Sequence, residues 1–447
     1  MAKLSCYGGS GNSTGANFLL ELPNKRILID CGMQQGAGDA ASHNKRQFEY
    51  DPSSVDILFV THAHIDHIGL IPRLVRDGFK GEIYSTEATR EIATLLLIDA
   101  AKIGREEERQ LFTIEDVEGA MKIWKPLSYH EERDFGDFKL ELFDAGHVLG
   151  SSMFKFTFPS GKTMLFTGDI GNSPSLLLPD VEKVSGLDYL LMESVYGDRN
   201  HERREEREER FEKAIKNSIE RGGALLIPAF SLERTQEILS LLDNLFESKK
   251  LPSVPVYLDS PLAIKITAIF EKITGLYNKE AQAELRAGDD LFKFPKLKET
   301  VRVGASREIA TIPGAKIIIA GSGMSTAGRI LHHEAMFLPD PKSTILLMGY
   351  QAAGTLGRQI KEGVKKIVID DDVVHVRAAV EQIDGFSGHA DSNALVGFVE
   401  SSAPTLKKVF VAMGEPKSQI FLAQRLRDEL GVEAIATERG HSYEIDI

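Results

Sequence analysis

Three imidazoles and one carboxylate fall within six residues in the stretch Thr61-His62-Ala63-His64-Ile65-Asp66-His67-Ile68-Gly69. Imidazole nitrogen and carboxylate oxygen are ligands for a divalent ion of zinc's type, and one tetrahedral site cannot take all four donors and still keep a water. The spacing suggests two metals side by side, an arrangement that activates water against a phosphate or acyl centre. The run before it, Asp56-Ile57-Leu58-Phe59-Val60, is short, apolar and β-branched. It reads as a buried strand whose end carries the donors into a loop.

Other strand-like runs deliver acids or histidines in the same way. Arg26-Ile27-Leu28-Ile29-Asp30-Cys31-Gly32 ends in a carboxylate, and Asp30 is read as orienting a metal-bound histidine rather than ligating. Leu140 to His147 ends in a histidine, Lys162 to Asp169 in an aspartate, and Tyr189 to Ser194 carries Glu193. One strand-end acid is usually structural; five such strands in one half of the chain point to an assembled site at sheet edges. Gly8-Gly9-Ser10-Gly11-Asn12-Ser13-Thr14-Gly15 is no P-loop, because no Gly-Lys-Ser/Thr follows it. It reads as a glycine-rich hairpin that lets backbone pass close to a site. Ile68 to Pro72 is expected to start a helix, and residues 87–103 to form an amphipathic one with Leu95-Leu96-Leu97 facing inward.

The chain has 447 residues, enough for about two to three domains. A hydrophobic fraction of 42% and a charged fraction of 27% are those of a soluble globular enzyme. No apolar run approaches the ~20 residues of a membrane span, and the N-terminus reads as strand without a signal peptide. Cys6 and Cys31 are the only cysteines, which fits a reducing cytoplasm better than a disulfide framework. The net charge of −13 argues against a broadly basic nucleic-acid coat. It leaves room for nucleic acid where metals and a local groove supply the positive field.

From His201 to Arg210 acids and arginines alternate, and Phe211, Ile215 and Ile219 follow on one stripe. This is the pattern of a solvated crossover helix, not of a basic recognition helix. Between Ala224 and Gly349 strands alternate with helices (224–228, 254–258, 317–320 and 344–348), predicting a second α/β domain doubly wound around a parallel sheet. Gly321-Ser322-Gly323 precedes a helix without the third glycine of a dinucleotide fingerprint. Backbone amides there suit a phosphate. Past residue 365 strands return, Ser387-Gly388-His389-Ala390-Asp391 precedes a helix, and a last strand-helix-strand unit spans 407–447.

Together these motifs resemble a metallo-β-lactamase-fold nuclease of the β-CASP branch, similar to short prokaryotic relatives of the nuclease subunit of the mRNA cleavage and polyadenylation factor. Thr61–Gly69 matches the HxHxDH motif, with Asp30, His147 and Asp169 in the other metal motifs. Glu193 in Met-Glu-Ser-Val-Tyr-Gly and His389 in Ser-Gly-His-Ala-Asp match motifs A and B. Ile227-Pro228-Ala229-Phe230, Asp259-Ser260-Pro261, Ser322-Gly323-Met324 and Gly349 to Arg358 match the inserted domain. The resemblance implies an αββα sandwich (residues 1–205, returning at 371–447) with an inserted doubly wound α/β β-CASP domain (206–370). It also implies two zinc ions, one on His62, His64 and His147, the other on Asp66 and His67, with Asp169 bridging. A hydroxide between the metals would attack a phosphodiester of single-stranded RNA, and Glu193 would orient His389, which protonates the leaving oxygen or steadies the phosphate. Ser322, Gly323, Met324 and Arg358 would touch the substrate, the insert would act as a lid, and a homodimer is part of the same expectation.

The chain departs from the pattern at two places. RNA-cleaving relatives carry a histidine ligand before Gly-Glu in motif C, where this chain has Met413. A thioether is a poor ligand for Zn²⁺ beside carboxylates and imidazoles. The second site is then weaker, completed by water, or completed by another histidine, for which His441 is the candidate; otherwise His441 is a surface residue of the last strand. Because DNA-directed members lack a ligating residue at motif C, Met413 also keeps a DNA nuclease in view. Glu233 stands where relatives often have glycine. A non-cleaving RNA-binding scaffold is the remaining alternative, and the intact metal motifs count against it.

Overall fold

The computed structural model describes residues 1–36, 40–106, 110–202, 204–349, 351–352 and 354–447. Arg203, Tyr350 and Ala353, which belong to segments read above, lie outside the described residues. The chain forms two compact units: Met1–Asn200 with Gly388–Ile447, and His201–Ser387.

The strands, in chain order, are β1 (Ala2–Gly8), β2 (Asn17–Glu21), β3 (Arg26–Ile29), β4 (Ile57–Phe59), β5 (Glu82–Ser85), β6 (Trp124–Pro126), β7 (Arg133–Asp134), β8 (Lys139–Asp144), β9 (Ser152–Thr157), β10 (Thr163–Phe166) and β11 (Tyr189–Met192). Those of the second unit are β12 (Ala224–Pro228), β13 (Val256–Leu258), β14 (Leu297–Glu299), β15 (Lys316–Ala320), β16 (Thr344–Met348), β17 (Lys366–Ile369), β18 (Asp372–His375) and β19 (Ala379–Ile383). The first unit closes with β20 (Lys408–Val411), β21 (Ala434–Ala436) and β22 (Ser442–Ile445).

Two seven-stranded sheets make the first unit, ordered β22-β1-β2-β3-β4-β5-β6 and β21-β20-β11-β10-β9-β8-β7. Their facing sides interdigitate in an aromatic-rich core. Leu4, Phe18, Ile29 and Phe59 come from one sheet, and Leu142, Phe154, Phe166 and Phe410 from the other. Phe59, fully buried, meets Phe154 at 5.4 Å and Phe156 at 5.6 Å between ring centroids. Outside the second sheet, helices Ser392–Glu400 and Pro416–Leu430 lay Leu395, Val399, Leu422 and Leu426 onto Leu165, Leu190 and Val409. The helix Ile114–Lys122 opens with a capping box between Thr113 and Asp116, satisfying two backbone donors at its start.

The expected helix at 87–103 runs Glu87–Glu106, but its inward face differs. Ile92, Ala93, Leu97 and Ala101 are buried, while Leu95 and Leu96 are half-buried. Successive residues turn by ~100° about a helix axis, so three consecutive leucines cannot share one face.

Strand direction is what gathers the chemistry. β3 and β4 are parallel neighbours, with Ile29 opposite Phe59, so Asp30 and the loop after Phe59 emerge side by side. β10, β11 and β20 are likewise parallel, which aligns the ends that lead to Asp169, Glu193 and Met413.

The second unit holds a six-stranded sheet ordered β14-β13-β15-β12-β16-β19, parallel at every pairing. β17 and β18 form a separate antiparallel hairpin. β19 pairs along its whole length with β16, which keeps the segment up to Ser387 within this unit. Glu233, just ahead of the helix Arg234–Glu247, has φ 63° and ψ −57°. A side chain there costs about 1–3 kcal/mol, while glycine carries an entropic cost of roughly 0.5–1 kcal/mol. Glu233→Gly is therefore expected to raise the thermal midpoint of the second unit by about 2–4 °C in calorimetry. An unchanged or lower midpoint would count against strain at this position.

Candidate metal centre

His62, His64, His147 and Asp169 place one ligand atom each within 4.8 Å of one another. His64 Nδ1 lies 3.1 Å from both His62 Nε2 and His147 Nε2. Asp169 Oδ2 lies 3.4 Å from His62 Nε2 and 3.5 Å from His147 Nε2. Four donors on a zinc ion with bonds of about 2.0–2.1 Å stand roughly 3.3 Å apart at the tetrahedral angle. The donor set therefore fits such an ion without rearrangement. Burial lowers the pKa of His62 and His64 well below the usual imidazole range and brings His147 down to about 3. All three are thus neutral and offer lone pairs, as metal ligation requires.

Each donor is held from behind. His147 Nδ1 donates to the carbonyl of Gly388 at 2.9 Å, which turns Nε2 inward. Thr61 Oγ1 lies 3.0 Å from His62 Nδ1. Asp169 is brought in by Gly168 at φ 55°, where a Cβ would lie 2.6 Å from that of Thr61; only glycine fits this approach. The loop Thr61–Gly69 is tied down by backbone bonds from Ala16 N to Asp66 O and from Cys31 N to His67 O, both 2.8 Å.

His67 is fully buried. Its Nδ1 is 2.7 Å from Asp30 Oδ2, and Asp30 also accepts from Thr61 N and Thr61 Oγ1, each at 2.8 Å. This anchoring points His67 Nε2 at Asp169 Oδ2, 3.4 Å away. His67 Nε2 and Asp169 Oδ1 are both buried without a hydrogen-bond partner among the described residues. Burial would lower the His67 pKa, but the carboxylates of Asp169 and Asp30 raise it well above the usual imidazole range. A second cation would replace that proton and satisfy both atoms. Asp66, half-buried at the same loop, belongs to neither close donor group; burial pushes its carboxyl up to about 6. Asp30→Ala should release His67 and Thr61 together and weaken metal retention about 10–100-fold. Competition with a chromogenic chelator measures it; wild-type retention would refute the orienting role.

A second group joins Asp169, Glu193 and His389. Glu193 is fully buried, and its carboxylate accepts from Ile170 N at 2.7 Å and from Val195 N at 3.2 Å. Its Oε1 lies 3.1 Å from His389 Nδ1. Burial alone would lower the His389 pKa, but the carboxylates of Glu193 and Asp169 raise it to about 9. The imidazole stands 4.7 Å from the His147 ring and 6.4 Å from that of Tyr196, centroid to centroid.

Two residues do not join the centre as ligands. His441 is 62% exposed at its side chain and faces Glu438 Oε2 at 3.2 Å. A turn at Gly440 carries it to the surface, so the expectation of His441 as a replacement ligand gives way to that of a surface histidine. Met413 is buried in the intersheet core, its thioether against Gly9. Thr61 and Tyr196 both flank named motifs without a pattern of their own, apart from the hydroxyl directly ahead of the first histidine.

The expected substrate residues lie together in the second unit. Gln351 Nε2 donates to Gly323 O at 3.0 Å and Gly357 N to Met324 O at 3.1 Å, tying the loop after β15 to the segment before Arg358. Ser322 Oγ accepts from Thr326 N at 2.9 Å, and Arg358 Nε donates to Glu362 at 2.6 Å.

Comparison with known proteins agrees with this geometry. Residues 11–232 match the metallo-β-lactamase superfamily, 235–360 the Beta-Casp domain, and 373–437 the Zn-dependent metallo-hydrolase RNA specificity domain. The chain is 35% identical to Ribonuclease TTHA0252 of Thermus thermophilus, over 94% of this chain and 95% of that one. It is 32% identical to Transcription termination factor FttA of Methanosarcina mazei, over 97% of this chain and 70% of the relative. A protein of unknown function from Enterococcus faecalis shares the fold across 99% of both chains, at a TM-score of 0.58 and 13% identity. Family, fold and donor set agree: this chain belongs to the β-CASP family of metallo-β-lactamase-fold RNA nucleases, metal-dependent hydrolases.

Proposed function

We propose that the chain is a zinc-dependent ribonuclease that hydrolyses phosphodiester bonds in single-stranded RNA. The observation that supports this most is the convergence of His62, His64, His147 and Asp169, with spacings of 3.1–3.5 Å that suit a tetrahedral cation. Zinc bound there supplies a lowered pKa for water and polarises a phosphoryl oxygen. Asp66 and His67 serve a second, weaker metal position that shares Asp169, with Asp30 holding His67 in the ligating tautomer. Glu193 occupies His389 Nδ1 and so sets the ring, whose Nε2 would give a proton to the leaving oxygen or bind the phosphate. Ser322, Gly323, Met324 and Arg358 contact the strand from the second unit, which the sequence puts at 206–370. Arg358 would exchange Glu362 for a phosphate to do so. Cytoplasmic residence suits Cys6 and Cys31, both buried as free thiols.

A second reading, a DNA nuclease, is favoured by the absence of an imidazole at Met413. Incubating the chain with zinc and end-labelled single-stranded RNA or DNA of the same sequence decides between them. Chelator-sensitive cleavage of RNA ahead of DNA is expected. Preference for DNA selects the second reading, and inactivity on both overturns hydrolysis of nucleic acid.

A further inference from the structure

We propose that Phe230 is the stacking platform for one nucleobase of the bound strand, set at the carboxyl edge of the second unit's parallel sheet; this rests on the ribonuclease reading. β15 lies between β13 and β12, with Pro228 opposite Ala320 and Leu258 opposite Ile319. The loops that follow these three strands, carrying Phe230, Ser260 and Gly323, therefore emerge together. From β13 the chain goes outward to β14, and from β15 it goes the other way to β16. The boundary between β13 and β15, one strand from β12, is thus a topological switch point, where parallel α/β sheets open a crevice for ligands.

Phe230 lies at that edge and is 43% exposed, whereas Ala229 before it is buried and Ser231 after it half-buried. Its ring is not a loose surface side chain. A Cβ on Gly323 would lie 2.7 Å from Phe230 Cδ2, so the bare backbone of Gly323 supports the ring from one side. An aromatic plane backed on one side and open elsewhere is what a nucleobase stacks on, and it does so without regard to base identity. The surroundings suit the backbone of a strand. Ser231 Oγ and Ser260 Oγ lie 3.4 Å apart beside the loop, offering hydroxyls to a phosphate or ribose. Asp259, the acid at this edge, is fully buried and bound by Arg329 Nη1 at 2.6 Å and His333 Nε2 at 2.7 Å, so its charge is compensated.

Binding of a fluorescein-labelled 12-nucleotide single-stranded RNA tests this by anisotropy, in full-length chains that all carry Asp169→Ala to prevent turnover. Added Phe230→Ala and Phe230→Leu, the second keeping apolar packing on Gly323, are expected to weaken binding by roughly 5- to 100-fold, the value of one lost stack. Phe230→Trp is expected to bind as Phe230 does. Its emission, seen above that of the single buried Trp124, should be quenched as RNA is added. Ribose 5-phosphate should leave that emission unchanged, whereas a nucleoside monophosphate at millimolar concentration should quench it. Wild-type-like affinity in Phe230→Leu, or unquenched tryptophan at saturating RNA, overturns the platform alone. Failure of the zinc-loaded wild-type chain to bind a cleavage-resistant phosphorothioate version of the same RNA overturns the ribonuclease reading, and the platform with it.

Discussion

Asp169→Ala is expected to lower single-turnover cleavage of labelled single-stranded RNA by at least about a thousandfold, with bound metal falling in parallel. One carboxylate oxygen, Oδ2, faces His62 at 3.4 Å, His67 at 3.4 Å and His147 at 3.5 Å. Its loss removes the only anionic donor from the first cluster and the acid that also joins the group with Glu193 and His389. The side chain is almost wholly buried, so water cannot take its place without a cavity forming. Asp169→Asn keeps shape and volume but not charge, and should fall nearly as far. Cleavage within tenfold of wild type in either variant would remove Asp169 from the chemistry.

Glu193→Ala and His389→Ala are each expected to slow cleavage by about 10²–10⁴-fold, the range of general acid–base assistance. The double variant should be no slower than the slower single one. The two side chains meet at 3.1 Å, and Glu193 also accepts from Ile170 N and Val195 N. His389 has its ring orientation set by that carboxylate, so removing either ends one shared function, and such pairs are non-additive. Glu193→Ala further leaves two buried backbone donors unmet, at about 1–3 kcal/mol each, and His389→Ala leaves the buried Glu193 carboxylate without its cationic partner, so the melting temperature of both should drop. Rate losses that multiply in the double variant would show that the two act independently.

Much of the site was legible in the sequence because its donors sit at the ends of short apolar strands. The loop from His62 to His67, His147 and Asp169 could be read in this way; parallel pairing sets Asp30 beside that loop and Asp169 beside Glu193, while His147 ends a strand that pairs antiparallel with β9. What the sequence could not convey was how the remaining residues divide between ligation and support. His441 follows a glycine as His147 and Asp169 do, yet its turn leads to solvent, and nothing in the local pattern distinguishes them. Met413 was read by its chemistry as a missing ligand, whereas its packing against Gly9 depends on a residue four hundred positions away. Glu233 was noted as a departure from glycine, and its φ of 63° supplies the physical reason that glycine suits the position. β14 is missed because a three-residue edge strand carries little apolar signal, and β19 falls among the strands expected past residue 365, where nothing local ties it to β16 of the second unit.

Metal content after dialysis against apo-buffer, measured by atomic emission on the full chain, tests the central claim most directly. The donor geometry predicts about one zinc retained per wild-type chain at the cluster of His62, His64, His147 and Asp169. A second should be recovered only when zinc is added back, and RNA cleavage should follow total occupancy. Less than half a zinc per chain, with RNA cleavage undiminished by dialysis, would contradict it.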